Sequence, residues 1–516
     1  MQKAHTRLWR HAAVIGVAVI LTAACSSGGD PDTDSSPSDG ATANPDATFR
    51  FADTLPIDTL DPHKSPGAGN NVWLFPVYDR LIHLNSSAEL VPGLATEWSF
   101  SDDGLTLSLT LRDNVSFHDG TAFDAAAVQA NIDRAKTVEG SAVASELAVI
   151  DSVEIVDDTH VDLNLNAVNS ALPYILTDRA GAIASPAAFD ADLARNPVGT
   201  GMYRVTEYQP SSSATYERNP DYWDPDAAAA ARMEFTSITD SQQRLNALRT
   251  DSIDATILDA ANVAAAESAG LVVDSAPVLQ FYHLQLNLSR EYLDDVRVRQ
   301  AINHAINRED LVSGLLFDLG EPAVQPFPSG YFAHDESVAD LYPYDPQRAR
   351  QLLDEAGVPE GYTLEFINQN APAYTQLTEA LQAQLLEVGL NVEITQTVNF
   401  ANSFYVEGQG DAGAINWTGR PDPSQTVGLV FAENGFANPG KVTTPEVTAL
   451  YQDLLATTDE TQRQELARQL SAQITTDALD VVLYFPYSNV AYSDKVVGLE
   501  NWLSGKLEFP GVGVAD

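Results

Sequence analysis

Nine histidines, one cysteine and 72 carboxylates are the side chains of this 516-residue chain best suited to acid–base, nucleophilic or metal chemistry. Their spacing organises none of it. There is no HExxH, no G-x-S-x-G elbow, no P-loop and no Cys–His pair. His118 falls in a turn-like stretch and His304 in a helical one, and neither has a histidine or cysteine at ligand spacing. With 72 acids, neighbouring carboxylates arise by chance, so a paired-carboxylate glycosidase has no specific support. The chain therefore reads as a non-enzyme, with no cofactor and no metal expected.

The elements that must carry any binding site are amply supplied. At 44% hydrophobic residues, 516 residues suffice for two to four domains with sizeable cores. The 72 acids face only 28 basic residues, six of them lysine, for a net charge of −44. Such a surface repels nucleic acid and anionic lipid, and it hints at a saline habitat where screening weakens self-repulsion. One cysteine leaves no internal disulfide.

Lys3, Arg7 and Arg10 precede a short apolar run at 12–24, the layout of an export signal and too short to span a bilayer. Leu21-Thr22-Ala23-Ala24-Cys25 resembles the lipobox of bacterial lipoproteins. That resemblance implies cleavage before Cys25 and lipidation on it, with a lipid anchor in the cell membrane on its extracytoplasmic face. The alternative is a plain secretory signal with an incidental cysteine. Residues 1–24 are thus the expected signal peptide. Residues 25–44, rich in Ser, Gly, Asp and Pro with no large apolar side chain, are expected to form a disordered acidic tether.

Beyond the tether, helical and strand patterns alternate. Leu105, Leu107, Leu109 and Leu111 alternate with polar residues, as in a half-buried strand, and 151–165 reads as two further strands. Phe123, Val128 and Ile132 share one stripe of a helix over 123–136. Helices are also predicted over 240–249 and 297–308. From 345 to 400 the pattern is helix, strand, helix, strand, with Asp345-Pro346 opening the first helix and Gly357 and Gly389 closing the two. This is an α/β pattern. No fixed-period repeat is present.

Several segments carry a family resemblance. They are Gly93–Trp98, Ser101–Gly104, Leu111–Gly120, Ser185-Pro186, Asn196–Gly201 with Tyr203, Asn219–Trp223, Val296–Arg308 and Tyr492–Leu499. In this order they resemble the family 5 solute-binding proteins, the extracytoplasmic receptors of peptide, nickel and opine ABC importers. The resemblance implies an α/β, two-lobed periplasmic-binding-protein-like fold of class II type, with an extra subdomain and two crossover segments. Lobe I would comprise 45–74, 196–280 and 489–516, with its subdomain at 75–195, and lobe II 281–488. Arg297, Arg299 and Arg308 are expected to serve local salt bridges and capping. The implied partners are a small-molecule solute, peptide first, and a membrane permease and ATPase complex, with the receptor itself a monomer.

The resemblance also directs attention to loops at the lobe interface. Peptide receptors of the family place an ammonium-binding aspartate shortly after a tryptophan. Here the segment reads Asn416-Trp417-Thr418-Gly419-Arg420-Pro421-Asp422 and the matching position is Arg420. A guanidinium attracts a carboxylate or phosphate and repels an ammonium. Asp422 is left as a candidate for the ammonium, unless the two side chains merely pair with each other. Trp417 is either a wall of the site or lobe packing. Asn70, Asn71 and Trp73 lie near the opening loop of lobe I. Arg179 either reaches a ligand carboxylate or pairs with Asp178. Tyr282, Tyr405 and the loop Phe327–Tyr331 complete the candidates. The expected function is capture of oligopeptides or dipeptides for an ABC importer. One alternative is a carboxylate- or phosphate-bearing peptide-like or opine-like solute, and another is a non-transport binding or signalling lipoprotein.

Overall fold

Leu107, Leu109 and Leu111 do alternate inward on the strand Thr106–Leu111, while Leu105 stays outside the strand and exposed. That strand is central in an antiparallel four-stranded sheet with Ala95–Phe100, His160–Leu165 and Ile150–Asp157. The helix Ala125–Thr137 covers the sheet, its first turn capped by the Asp124 carboxylate accepting from the Ala127 N–H at 2.9 Å. Val128, Ile132 and Phe123 join the leucines in one apolar core. The computed structural model describes residues 42–516. The expected signal peptide, Cys25 and most of the tether lie outside the described residues. Among those described, no helix is long and apolar enough to cross a membrane.

A second core is built on the strand Thr48–Asp53, parallel to both Arg232–Ser237 and Ala255–Leu258. Its interior is aromatic: Phe51 meets Phe235 at 5.5 Å and Phe509 at 5.2 Å, and Trp73 meets Phe235 edge-on at 5.7 Å. The Val198–Gly201 segment threads against the backbone of Val77. A Cβ at Gly199 would stand 2.2 Å from the Val77 carbonyl oxygen, and one at Gly201 would stand 2.5 Å from that of Pro76. No other residue fits there without moving the chain.

A third core lies in the other lobe, where Thr363–Gln369 pairs in parallel with Asn391–Thr397 through the helix Pro372–Glu387. Ala412–Trp417 and Phe281–Leu286 extend this sheet. The helix expected over 297–308 is two helices, Val296–Ala305 and Arg308–Leu316. Asn307 breaks the pattern because its side chain caps the second helix, accepting from the Asp310 N–H. Arg297 pairs with Asp295 at 2.6 Å, in keeping with a local salt bridge. Arg299 and Arg308 differ: both are buried and donate to carbonyls, Arg299 to Ala478 and Asp477, Arg308 to Val482. They bind helix to strand with hydrogen bonds, and burial lowers the pKa of Arg308 to about 10.

The strand Val481–Tyr492 joins the two lobes. Its first residues pair with Phe281–Leu286 and its last with Val272–Pro277 and Ala255–Leu258. The chain crosses the other way at residues 278–280, between Val272–Pro277 and Phe281–Leu286. Two crossings side by side form a narrow hinge within one continuous sheet, an arrangement suited to rigid-lobe rotation. The architecture is the two-lobed α/β type with crossover connections.

Candidate functional site

On the lobe I side, the segment Leu172–Gly181 ends in a short turn capped by Asp178, whose carboxylate accepts from the Arg179 N–H at 2.6 Å. The same carboxylate accepts from Asn71 Nδ2 at 3.0 Å and from Lys506 Nζ at 2.6 Å. Burial pushes the Asp178 pKa up, but Lys506 and Arg179 outweigh it and hold the group well below the usual carboxylate range. Arg179 is itself buried, paired with Asp178 and donating to the Ser65 carbonyl, so its guanidinium is already committed. Asn71 Oδ1, buried beside it, has no hydrogen-bond partner.

On the lobe II side, the strand Ala412–Trp417 runs up to the hinge, where Trp417 pairs with Phe281. Gly419 follows with φ of +69°, and a Cβ there would lie 2.1 Å from the Leu279 carbonyl oxygen in the crossing segment. That close approach turns the chain and delivers Arg420 to the lobe interface. Arg420, Pro421 and Gln425 from lobe II meet Glu146, Tyr174, Thr177 and Asp178 across a small cavity. Among the described residues, no salt bridge joins Arg420 to any of these acids. Burial and the nearby Asp178 raise the pKa of Glu146, opposed by Arg420, Arg179 and Lys506.

Asp422 does not face this cavity as a free carboxylate. It is wholly buried, caps the helix Pro423–Val430 by accepting from Ser424 N at 2.8 Å, and forms an ion pair with the buried Arg463. Both the ammonium role and the Arg420–Asp422 contact give way to this pairing. Arg463 also donates to Ser170 Oγ, and Ser170 in turn bonds the Leu454 and Leu455 carbonyl groups. Asp422, Arg463 and Ser170 thus tie the subdomain to lobe II.

Trp73 also lies elsewhere than expected. It is buried in the aromatic core, its Nε1 donating to Asp53 at 2.5 Å, with no ligand-facing surface. Asn70 donates to Ser65 Oγ at 2.8 Å. Tyr405 is buried among Phe400, Phe404 and Phe436. Tyr331 is buried too and donates to the Pro421 carbonyl, steadying the Arg420 loop from behind.

Tyr282 and Asn416 do come together, as cross-strand partners. Tyr282 stacks on Tyr484 at 5.0 Å and lies 6.2 Å from Tyr374, whose hydroxyl donates to Asn416 Oδ1. The result is a tyrosine–amide shelf, half-buried at Tyr282 and Tyr374, where burial pushes the Tyr374 pKa up to about 12. Trp417 is half-buried beside it, its Nε1 donating to Thr426 at 3.2 Å. Sequence reasoning missed Glu146, Lys506, Tyr374 and Tyr484. Lys506 alone carried a signal, as one of six lysines; Glu146 is lost among 72 acids.

No group of three or more metal-ligating side chains occurs among the described residues. The polar groups on offer are the acid–base cluster at Asp178, the Glu146 and Arg420 side chains across the small cavity, and, separately on lobe II, the tyrosine–amide shelf.

Comparison with known proteins agrees with this two-lobed arrangement. Residues 89–472 match the family described as bacterial extracellular solute-binding proteins, family 5 Middle. The glutathione-binding protein GsiB of Pectobacterium atrosepticum is 29% identical over 462 residues, covering 85% of this chain and 89% of that protein. Among solved structures, HbpA2 from Haemophilus parasuis superposes with a TM-score of 0.83 at 23% identity, over 91% of this chain and all of that one. The periplasmic binding protein DppA from Helicobacter pylori, in complex with the peptide STSA, gives 0.75 at 25% identity, over 91% and 98%. Proteins of this family bind solutes outside the cytoplasm and work with permease and ATPase components; they are not catalysts. The chain belongs to family 5 of the extracytoplasmic solute-binding proteins of ABC importers.

Proposed function

We propose that the protein captures a peptide-like solute bearing a free carboxylate, in the cleft between its lobes, and delivers it to the permease of an ABC importer. The observation that carries this reading is Arg420, a guanidinium with no acidic partner within 4.0 Å among the described residues, held at the lobe interface by the Gly419 turn. A free planar guanidinium in a confined space matches a carboxylate in a bidentate pair. The related protein named for glutathione and the similar structure holding a peptide support the solute class. Neutral amide and aromatic groups of the tyrosine shelf suit the peptide's backbone and side chains. Ligand that touches both lobes favours the closed arrangement by its extra contacts there. Anchoring through a lipid on Cys25 belongs to the same reading and keeps the receptor beside its permease.

Calorimetric titration of the soluble body with short peptides tests this. Arg420→Ala should weaken binding by roughly 10–100-fold, the worth of a hydrogen-bonded charge pair of about 1.5–3 kcal/mol. Arg420→Lys should recover only part, because the ammonium cannot pair in bidentate fashion. Unchanged affinity in Arg420→Ala would remove the carboxylate anchor. Mass spectrometry of a palmitate-labelled membrane fraction, with and without Cys25→Ser, checks the anchor.

A further inference from the structure

Away from the hinge strands, the hydrogen bonds between the two lobes converge on one residue. Among the described residues, every such bond is made by Ser170 of the subdomain. Its backbone N–H donates to the Leu455 carbonyl at 3.2 Å, its Oγ donates to the Leu454 carbonyl at 2.9 Å, and the same Oγ accepts from Arg463. Leu454 and Leu455 end the lobe II helix Pro445–Ala456. The last carbonyls of a helix have no partner within it, and here the opposite lobe supplies one.

The subdomain that carries Ser170 is fastened to lobe I. Arg134 pairs with Asp61 at 2.6 Å, Arg80 with Glu508 at 2.7 Å and Asp178 with Lys506 at 2.6 Å. Rotation about the hinge therefore has to pull Ser170 off the helix end. Nothing charged is stranded when it does. Arg463 keeps Asp422 and the carbonyls of Leu454 and Thr457, all within lobe II, and water takes the place of Ser170. With the lobes together, Ser170 and Arg463 are both buried. We infer that Ser170 is a latch for lobe closure: it caps the helix Pro445–Ala456 across the cleft and holds a share of the molecules closed without solute. Its contacts are wholly between protein groups, so it adds the same increment to closure whatever solute the cleft holds. The effect on binding rests on the capture between lobes proposed above; the latch itself needs no solute.

The folded body is one compact unit and contains no native cysteine, so spin labels can be placed at Ala167→Cys and Thr458→Cys, exposed positions on either side of the latch. Double electron–electron resonance then reads the distance between the lobes. Without solute, the otherwise unaltered protein should show a short-distance population. Ser170→Ala, its folding checked by melting temperature, should lower the ratio of that population to longer distances by roughly 3–10-fold, the worth of one hydrogen bond. Ser170→Gly, which also removes the hydroxyl, takes its place if the first variant does not fold. Absence of a short-distance population, or a ratio changed by less than about twofold, would overturn the latch. Calorimetry of the unlabelled protein with trialanine and glutathione separates a latch from a solute contact. Ser170→Ala should weaken both by one common factor, no larger than the shift in closure. Tighter binding of either peptide, or factors that differ by more than about threefold, would overturn the solute-independent role. If neither peptide binds at millimolar concentration, the peptide reading is contradicted, while the spin-label ratio still decides the latch.

Discussion

Arg420 and Asp422 stand two residues apart and have opposite fates. Arg420 follows a glycine that only a close backbone approach explains, and it emerges at the lobe interface. Asp422 begins a helix and is buried against Arg463. Their types could be read in the sequence, but the surroundings of Asp422 depended on Arg463, 41 positions further on, and those of Arg420 on residues far upstream. A comparable fate befell Trp73, whose polar neighbours suggested an open loop and whose indole lies in the aromatic core. His118 shows how a single side chain can make folding pH-dependent. Its Nδ1 accepts from the Gly199 N–H at 3.4 Å while its Nε2 faces the Gly201 carbonyl at 2.9 Å, a pattern that needs the neutral ring. Burial, aided by Arg204, lowers its pKa to about 4 from 6.5. Between those values the unfolded chain holds the proton and the folded chain does not, so stability is lost as pH falls from about 6.5 towards about 4. The loss from this group is of order 3 kcal/mol. His118→Gln should therefore flatten the acid limb of a plot of denaturant-derived stability against pH. An unaltered slope would show that other groups, His63 among them, carry the dependence.

Elements were legible where local rules act alone. Aspartates ahead of helical stripes at 124, 240 and 345 cap the helices Ala125–Thr137, Ser241–Arg249 and Pro346–Ala356. The alternating leucines form their strand. Elements were misread where a distant partner decides: the run from Val296 to Arg308 has continuous helical character, yet Asn307 starts a new helix and bonds Gln384. The helix Pro423–Val430 offers a test at this scale. Asp422→Ala removes its cap and strands the buried Arg463, which costs about 3–5 kcal/mol where a buried pair loses one member. Because Arg463 also reaches Ser170 in the subdomain, the variant should lose ligand affinity as well as melting temperature. Asp422→Ala combined with Arg463→Met should recover part of the stability, since two uncharged residues no longer leave a charge unpaired. Full stability in Asp422→Ala alone would contradict the pairing.

At the scale of the whole molecule, a net charge of −44 coexists with a cleft that gathers Arg179, Arg420 and Lys506 around two acids. Arg179 and Lys506 are taken up by Asp178, which leaves Arg420 as the group for the carboxylate proposed above. The hinge supplies the motion: one strand runs through both lobes and a second crossing lies beside it, so the lobes can rotate with little disturbance to either core. The family features in the sequence announced this architecture, because the turns that carry them are architectural. They said little about the candidate site, because its side chains come from loops brought together only by the fold. The central claim, that the cleft selects peptide-like solutes with a free carboxylate, is tested most directly by mass spectrometry. The native soluble body is equilibrated with a mixed pool of short peptides, amidated peptides and neutral sugars, recovered, and denatured to release what it holds. The account predicts enrichment of short peptides with free carboxylates over their amidated counterparts. Enrichment of amidated peptides or sugars, or recovery of no peptide from the pool, would contradict it.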